Sequence, residues 1–193
     1  MSILMEIEIK DPLSDDAHLA HLARTDADAF AELYRRHVTS VYRYHMAHTG
    51  NIKDAEDLTS QTFMAALEGI QSYRGTGTFA AWIMGIAARK RALFFRGSKP
   101  EVPLDAAHHI PAPSLPTDKA VAQRLQIDQV YHALKHISLE RAEALILCFF
   151  GGLTTDEAGR VLGKSKAAVK MLISRGLHDL RTRTSLALED IYE

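Results

Sequence analysis

Residues 154–170 read TTDEAGRVLGKSKAAVK, a segment with two helix starts separated by one tight turn. Thr154 and Glu157 stand at the spacing of a capping box, which predicts the start of a short helix. Gly163 follows as a turn residue, and Ser165 can cap a second helix. Two helices joined by such a turn form a helix-turn-helix pattern.

The second of these helices is predicted to reach about Arg183, and its charge is one-sided. Residues 160–183 hold seven basic residues against one acid, Asp179. In a helix-turn-helix, the amino-terminal end of the second helix enters the major groove of DNA. Val169, Leu172 and Ile173 are suited to packing inward, so the polar residues between them face outward. The predicted DNA-binding residues are Lys164, Ser165, Lys166, Lys170, Ser174 and Arg175.

Upstream of this motif the sequence predicts two more helices and a linker. A very apolar helix runs from Leu139 to Phe150 and ends at Gly151-Gly152, and an amphipathic helix precedes it from about Lys119 to His136. Five prolines lie between Lys99 and Asp118. Proline at this density forbids a continuous helix and favours extended, semi-rigid backbone.

The amino-terminal half predicts three helices. Their bounds are about Asp26 to His48, Asp54 to Gln71 and Phe79 to Arg96, with a glycine-bearing loop from Ser72 to Thr78 before the last. The third helix directs a set of large apolar residues into a core: Phe79, Trp82, Ile83, Ile86, Leu93 and Phe94. With no convincing strand in the chain, the fold class is all-α, with two small helical bundles joined by the proline-rich linker.

Charge is distributed unevenly along the 193 residues, although the net charge is only -1. A cluster of cations without an acid occupies the end of the third helix, with Phe94 and Phe95 beside it: Arg89, Lys90, Arg91, Arg96 and Lys99. Aromatic rings among cations are suited to holding unpaired bases. Acids gather instead at Asp54, Glu56 and Asp57. The chain can therefore present cationic faces to DNA and an acidic face to another partner.

Several classes of site are not expected. No stretch approaches the roughly 18 consecutive apolar residues of a membrane helix, and the acidic start is unlike a signal peptide, so we expect a cytoplasmic protein without membrane insertion. Cys148 lies in the apolar run ALILCFF, which predicts a buried, inert thiol. The histidine pairs lack an evident third ligand, so no metal and no cofactor are expected: His18/His21, His45/His48 and His132/His136. Neither a phosphate loop nor a nucleophile elbow is present, and we do not expect an enzyme.

These motifs together resemble the extracytoplasmic function (ECF) group of sigma-70-type sigma factors. Residues 54–63, DAEDLTSQTF, are similar to the region 2 helix that docks on RNA polymerase. The segment YRGTGTF at 73–79 resembles the following signature of region 2, and residues 141–181 resemble region 4. The match covers most of the chain.

The resemblance implies a sigma factor that binds core RNA polymerase, through its β′ clamp helices and β subunit, and directs promoter recognition, strand opening and initiation. An anti-sigma factor is a further implied partner. Implied polymerase contacts are Asp54, Glu56, Asp57, Leu58, Gln61 and Phe63. Implied contacts with the promoter −10 element are Tyr73, Arg74, Thr76, Thr78, Arg89, Lys90, Arg91 and Arg96, while the second helix of the helix-turn-helix would read the −35 element.

The implied organisation has five parts. They are an amino-terminal extension at 1–24, region 2 at 25–98, the linker at 99–118, region 4 at 119–183 and a tail at 184–193. The sequence departs from the group at several positions, including Gly159, where an interior glycine predicts a cost of about 0.5–1 kcal/mol relative to alanine. Two alternatives stay open: a helix-turn-helix regulator that acts without polymerase, and a sigma-like protein that sequesters a partner.

Overall fold

The computed structural model of the protein describes residues 12–97 and 130–189, and within these ranges the regular structure is helical. Four helices form the amino-terminal domain: α1 (Pro12–Leu22), α2 (Ala27–Thr49), α3 (Ile52–Gly69) and α4 (Phe79–Gly97). The carboxyl-terminal domain contains a helical segment at 130–135 and the helices α5 (Leu139–Leu145), α6 (Thr155–Leu162) and α7 (Lys166–Glu189). The predicted all-α fold is confirmed. The predicted linker at 99–118 and the beginning of the Lys119–His136 helix lie outside the described residues.

Side-chain caps fix the starts of α2 and α3. The Asp26 carboxylate accepts the Asp28 backbone N–H at 2.8 Å, as the predicted start required. Asn51, rather than the residue before Asp54, caps α3 by accepting the Asp54 N–H at 3.1 Å, so this helix begins earlier than predicted. Gly50 ends α2 with φ +63°, in the left-handed region that glycine adopts without steric cost.

Helix α1 was not predicted from the sequence, and it packs along α2 and α4. Ala20 is fully buried, and the largely buried Asp16 joins the helices through its carboxylate. That carboxylate lies 2.7 Å from His37 Nε2 and accepts an Arg36 Nη1 hydrogen bond at 3.0 Å. The region predicted as an extension therefore contributes to the core of this domain.

The predicted apolar face of α4 is correct except near its end. Phe79, Ile83 and Ile86 are buried in the core, and Trp82 is half-buried beside it. Leu93 is 58% exposed, so its predicted place in the core is wrong. Of the basic residues on the last turns of α4, Arg89 and Arg96 are exposed, whereas Lys90 and Arg91 are half-buried.

The helix-turn-helix forms as the sequence predicts. A full capping box joins Thr154 and Glu157 at the start of α6, Gly163 ends α6 with φ +64°, and the Ser165 hydroxyl accepts the Ala168 N–H at 3.2 Å. The apolar helix before it is α5 followed by a π-helical turn at Ile146–Phe150. Helix α7 continues to Glu189, beyond the predicted end.

The structure explains why a glycine stands at position 159. A Cβ at this position would lie 2.6 Å from the Lys164 carbonyl oxygen, and the Lys164 N–H donates to the Gly159 carbonyl at 2.8 Å. The turn between α6 and α7 therefore packs directly against the backbone of α6 at Gly159. The predicted cost of an interior glycine does not apply here, because alanine would collide with backbone.

The two domains pack against each other and share one core. The π-helical turn packs on α2, and α6 packs on α4. The Tyr131 ring lies against Gly50, where an added Cβ would come within 2.6 Å of Tyr131 Cδ1. Two separate bundles were predicted, and this contact between them was not.

Candidate nucleic-acid interface

The outer face of α7 carries a row of polar side chains. Lys166, Lys170 and Ser174 are exposed and follow each other at a spacing of four residues, which places them on one side of the helix. Arg175 is exposed beside them, whereas Val169 is fully buried on the opposite side. The predicted inward packing of Val169, Leu172 and Ile173 is confirmed.

Two residues predicted to bind DNA at the start of this helix already have partners. Lys164 Nζ lies 2.9 Å from Glu140 Oε1 in a partly exposed ion pair. Ser165 uses its hydroxyl as the helix cap. Both residues remain close to the exposed row, so a phosphate could still approach them.

The loop before α4 is held in shape by Tyr73. The Tyr73 ring is buried, its hydroxyl donates to the Gly77 carbonyl at 2.8 Å, and its own carbonyl accepts from Arg24 Nη2 at 2.7 Å. Gly75, with φ +68°, allows the chain to turn between these anchors. Tyr73 thus positions the loop. Tyr73 also lines the cavity beside this loop, and its predicted contact with DNA stays a prediction.

A cavity of about 570 Å³ opens between this loop and α4. Its lining includes Arg74 and Thr76 from the loop, and Trp82 and Arg89 from α4. Arg74, Thr76 and Arg89 are exposed. A cavity of this size, with a ring and cations in its wall, has the chemistry to hold an unpaired base.

The carboxyl-terminal domain reaches the rim of the same cavity. Arg160 of α6 contributes to the lining, and a Cβ added to Gly77 would lie 3.2 Å from Arg160 Nη1. The Thr78 hydroxyl, predicted to contact DNA, donates to the Glu157 carboxylate of α6. The candidate base-binding loop is therefore partly covered by α6.

The cations of α4 are not equally available. Arg89 and Arg96 are exposed and Lys90 is half-buried. The Arg91 guanidinium instead turns toward the other domain, where its Nη1 lies 2.8 Å from Glu143 Oε2. In this arrangement Arg91 is bound to a carboxylate, and its predicted contact with DNA requires that ion pair to break.

Glu143 is the centre of a buried polar cluster between the domains. It is 4% exposed; Oε1 accepts the Tyr44 hydroxyl at 2.7 Å, and Oε2 lies 3.2 Å from His48 Nε2. Burial alone would raise the pKa of Glu143, but His48, Arg91 and Tyr44 outweigh it and lower the pKa. Burial lowers the pKa of His48, so its ring is neutral near pH 7, and its Nδ1 lies 3.3 Å from Arg91 Nη1. The cluster is thus one carboxylate and one guanidinium joined by neutral groups.

The acidic face of α3 is only partly as predicted. Glu56, Asp57 and Gln61 are exposed and Asp54 is half-exposed, so they can meet a partner. Leu58 and Phe63 are 1% and 4% exposed and belong to the core. The helical stripe that carries these two side chains faces inward in this conformation, so their predicted contacts with polymerase stay a prediction.

The other kinds of site to consider are metal ligands, membrane-spanning helices and the single cysteine. Within 12–97 and 130–189, no group of histidine, cysteine and acidic side chains is arranged to hold a metal ion. No helix among the described residues is both long and apolar enough to span a bilayer. Cys148 is half-buried, and burial raises the pKa of its thiol, which disfavours the reactive thiolate.

Family comparisons match both domains. Residues 33–99 match the family described as Sigma-70 region 2, and residues 127–180 match Sigma-70, region 4. Together these matches cover more than half of the chain in the order that the sequence predicts.

Curated relatives include two ECF RNA polymerase sigma factors. BldN of Streptomyces coelicolor is 32% identical over 175 residues, which cover 86% of this chain and 66% of BldN. SigE of Mycolicibacterium smegmatis is 33% identical over 167 residues, which cover 78% of this chain and 59% of SigE. The chain thus spans less than two thirds of the length of these relatives.

Solved structures show the same fold. CnrH, in complex with the cytosolic domain of CnrY, superposes with a TM-score of 0.69 at 23% identity, over 89% of this chain and 98% of CnrH. RpoE of Bartonella quintana, in complex with the anti-sigma factor NepR, gives 0.58 at 22% identity, over 79% of this chain and 94% of RpoE. With both family regions matched and two relatives above 30% identity, the chain belongs to the sigma-70 family of RNA polymerase sigma factors, in its extracytoplasmic function group.

Proposed function

We propose that the protein is a promoter-specificity subunit of bacterial RNA polymerase, which binds the core enzyme and directs promoter recognition, strand opening and initiation without catalysing a reaction itself. The observation that carries this proposal is the presence of two different surfaces with exposed cations in one chain of this family. One is the exposed row on α7, and the other is the cavity between α4 and the loop before it. The place of action would be the cytoplasm, with the polymerase.

The two surfaces suit two states of DNA. Lys166 and Lys170 project from the second helix of a helix-turn-helix, the geometry that enters the major groove of a duplex, here the −35 element. The loop cavity, with Trp82 in its wall, suits a single unstacked base of the −10 element. In this scheme residues 25–98 recognise the −10 element, 119–183 recognise the −35 element, and 99–118 connect them.

The acidic face of α3 is the proposed docking site for the β′ clamp helices of the core enzyme, while other parts of the chain meet the β subunit. Asp57 and Glu56 are exposed there. Complementary charge guides association and discriminates against wrong partners. An anti-sigma factor is the proposed regulator, since CnrH is seen with the cytosolic domain of CnrY and RpoE with the anti-sigma factor NepR.

Copurification with core RNA polymerase tests the polymerase contact. Reversal of charge in Asp57→Arg should weaken retention of the protein on immobilised core enzyme about tenfold or more, or ~1.4 kcal/mol. Glu68→Arg is the matched control, because Glu68 is an exposed acid at the other end of α3. Equal retention of both variants, with unchanged helicity by circular dichroism, would mean that the docking surface is elsewhere.

Transcription in vitro tests the function itself. Core enzyme with the protein should initiate on fragmented genomic DNA of the host bacterium at start sites that share two upstream sequence elements, and core enzyme alone should not. If the protein binds duplex DNA tightly and specifically at physiological salt without polymerase, and adds no start sites, a polymerase-independent regulator is the better description.

A further inference from the structure

Glu143 finds its polar partners across the contact between the domains. It lies on α5 of the carboxyl-terminal domain, whereas Tyr44, His48 and Arg91 belong to α2 and α4 of the other domain. Among the described residues, these three are the polar groups that the structure gives to the Glu143 carboxylate. With the domains apart, the Glu143 carboxylate would lose these three partners and be solvated by water.

The same contact covers the candidate −10 surface. Thr78 of the loop is bonded to Glu157 of α6, and Arg160 stands at the rim of the loop cavity. Arg91, a cation of the −10 set, is neutralised by Glu143. The packed arrangement therefore occupies groups that a DNA strand would need.

We propose that Glu143 is a latch that holds the two domains closed, and that Arg91 exchanges this carboxylate for a DNA phosphate when the domains separate. The proposal rests on the proposed function, since it assigns a regulation to the same −10 surface. A guanidinium suits both states, because its planar donors match carboxylate and phosphate alike. In the free protein the latch keeps the −10 surface covered, and partners that separate the domains expose it.

The variant Glu143→Gln tests the latch by keeping the shape of the side chain and removing its charge. In the closed state it leaves the Arg91 guanidinium buried without a counter-charge, whereas in the open state water solvates Arg91. The closed–open equilibrium should therefore shift toward open about tenfold or more. Glu140→Gln is the control, because Glu140 lies on the same helix but pairs with Lys164 within its own domain.

Small-angle X-ray scattering on the free full chain reads the domain separation. The parent and Glu140→Gln should be compact, and Glu143→Gln should have a larger radius of gyration. The double variant Arg91→Gln/Glu143→Gln should be compact again, because no unpaired charge is left in the interface. Recovery of compactness in the double variant distinguishes a charge latch from a general loss of packing.

Binding of a fluorescein-labelled single-stranded oligonucleotide of mixed sequence reads the exposure of the −10 surface. If most of the parent is closed, its apparent affinity is reduced by the fraction that is open. By fluorescence anisotropy, Glu143→Gln should bind about tenfold more tightly than the parent. The Tyr44→Phe variant removes only the hydroxyl that donates to Glu143. It should bind the oligonucleotide about threefold more tightly than the parent. This variant keeps the proposal testable if Glu143→Gln does not fold.

The proposal is overturned if Glu143→Gln and Tyr44→Phe match the parent in size and oligonucleotide affinity, or if the double variant is as expanded as Glu143→Gln. Retention on core RNA polymerase separates this failure from that of the proposed function. If the parent binds the core enzyme but the variants behave as the parent, only the latch is wrong. If the variants open as expected and no form binds the core enzyme, the latch holds and the sigma function fails.

Discussion

The two cationic surfaces of this protein differ in how much of their charge is free to meet DNA. On α7, Lys166 and Lys170 project from an exposed helix face. On the other surface, Arg91 is paired with a buried carboxylate and Thr78 with Glu157. The surface suited to duplex DNA is thus open while the one suited to an unpaired strand is partly covered. If the proposed function holds, such a protein is ready for the first contact with a promoter before it can hold a melted one.

The largest expected difference is in the free energy of unfolding when one cation is removed from each surface in turn. Arg91→Ala should lower the free energy of unfolding by about 2–3 kcal/mol, because Glu143 is then buried without a counter-charge. This loss cannot exceed the free energy of separating the domains, because Glu143 is exposed to water once they are apart. Lys170→Ala should change stability by less than about 0.5 kcal/mol, as an exposed substitution does. Urea denaturation followed by circular dichroism measures both, and equal effects would contradict the contrast between the surfaces.

A pH titration should show a second difference between the domains. His45 is fully buried beside Thr62, and burial, followed by nearby His48 and Arg91, lowers its pKa from 6.5 to about 3. Between these values the unfolded chain binds a proton that the folded chain does not, so stability is present above pH 6.5 and is lost as the pH falls. The loss from His45 alone should be about 2 kcal/mol between pH 6.5 and 5.

The single tryptophan, Trp82, reports unfolding of the amino-terminal domain by its fluorescence. His45→Gln should make that domain's stability less dependent on pH, because the titrating group is gone while an amide can still reach Thr62. An unaltered slope in His45→Gln would show that other groups, such as His48, carry the acid sensitivity.

Two helical glycines, one in each domain, should respond to alanine with opposite signs. Gly159→Ala should destabilise the protein by about 1–2 kcal/mol, because the new Cβ would meet the Lys164 carbonyl at 2.6 Å. Gly85→Ala, where nothing lies within 4 Å of the added atom, should stabilise α4 by about 0.5–1 kcal/mol. Thermal unfolding of both variants provides the measurement. A stabilising Gly159→Ala would mean that the turn can relax away from α6.

Local signals in the sequence account for much of this fold. The capping box at Thr154 and the turn at Gly163 depend on neighbours a few residues away, and the sequence predicts both correctly. The exposed row on α7 followed from helical spacing. Helix α1 was missed because its apolar residues do not form a clear stripe, although Pro12 stands at a position favourable for a helix start.

Features that depend on contacts between residues far apart in the sequence could not be predicted in the same way. Nothing near Arg91 in the chain indicates that it pairs with Glu143, and nothing near Tyr73 shows that its ring is buried. One signal was available: Glu143 lies between Ala142 and Ala144, directly before the apolar run LILCFF, and a buried charge requires a partner. The identity of that partner becomes visible only when both domains are placed together.

The smallest expected effect concerns the salt dependence of DNA binding by the free protein. If the −10 surface is covered, most of the phosphate contacts of the free chain come from the α7 face. Each cation that meets a phosphate releases a condensed counterion, which contributes about 0.9 to the slope of log affinity against log salt. Lys170→Ala should therefore reduce this slope by about 0.9 on a mixed-sequence duplex, measured by fluorescence anisotropy over a range of salt concentrations. Lys135→Ala is the matched control, since Lys135 is exposed in the same domain but lies over the Tyr131 ring, away from α7. A slope that Lys170→Ala leaves unchanged would place the phosphate contacts of the free protein on the other domain, and the contrast between an open and a covered surface would then be reversed.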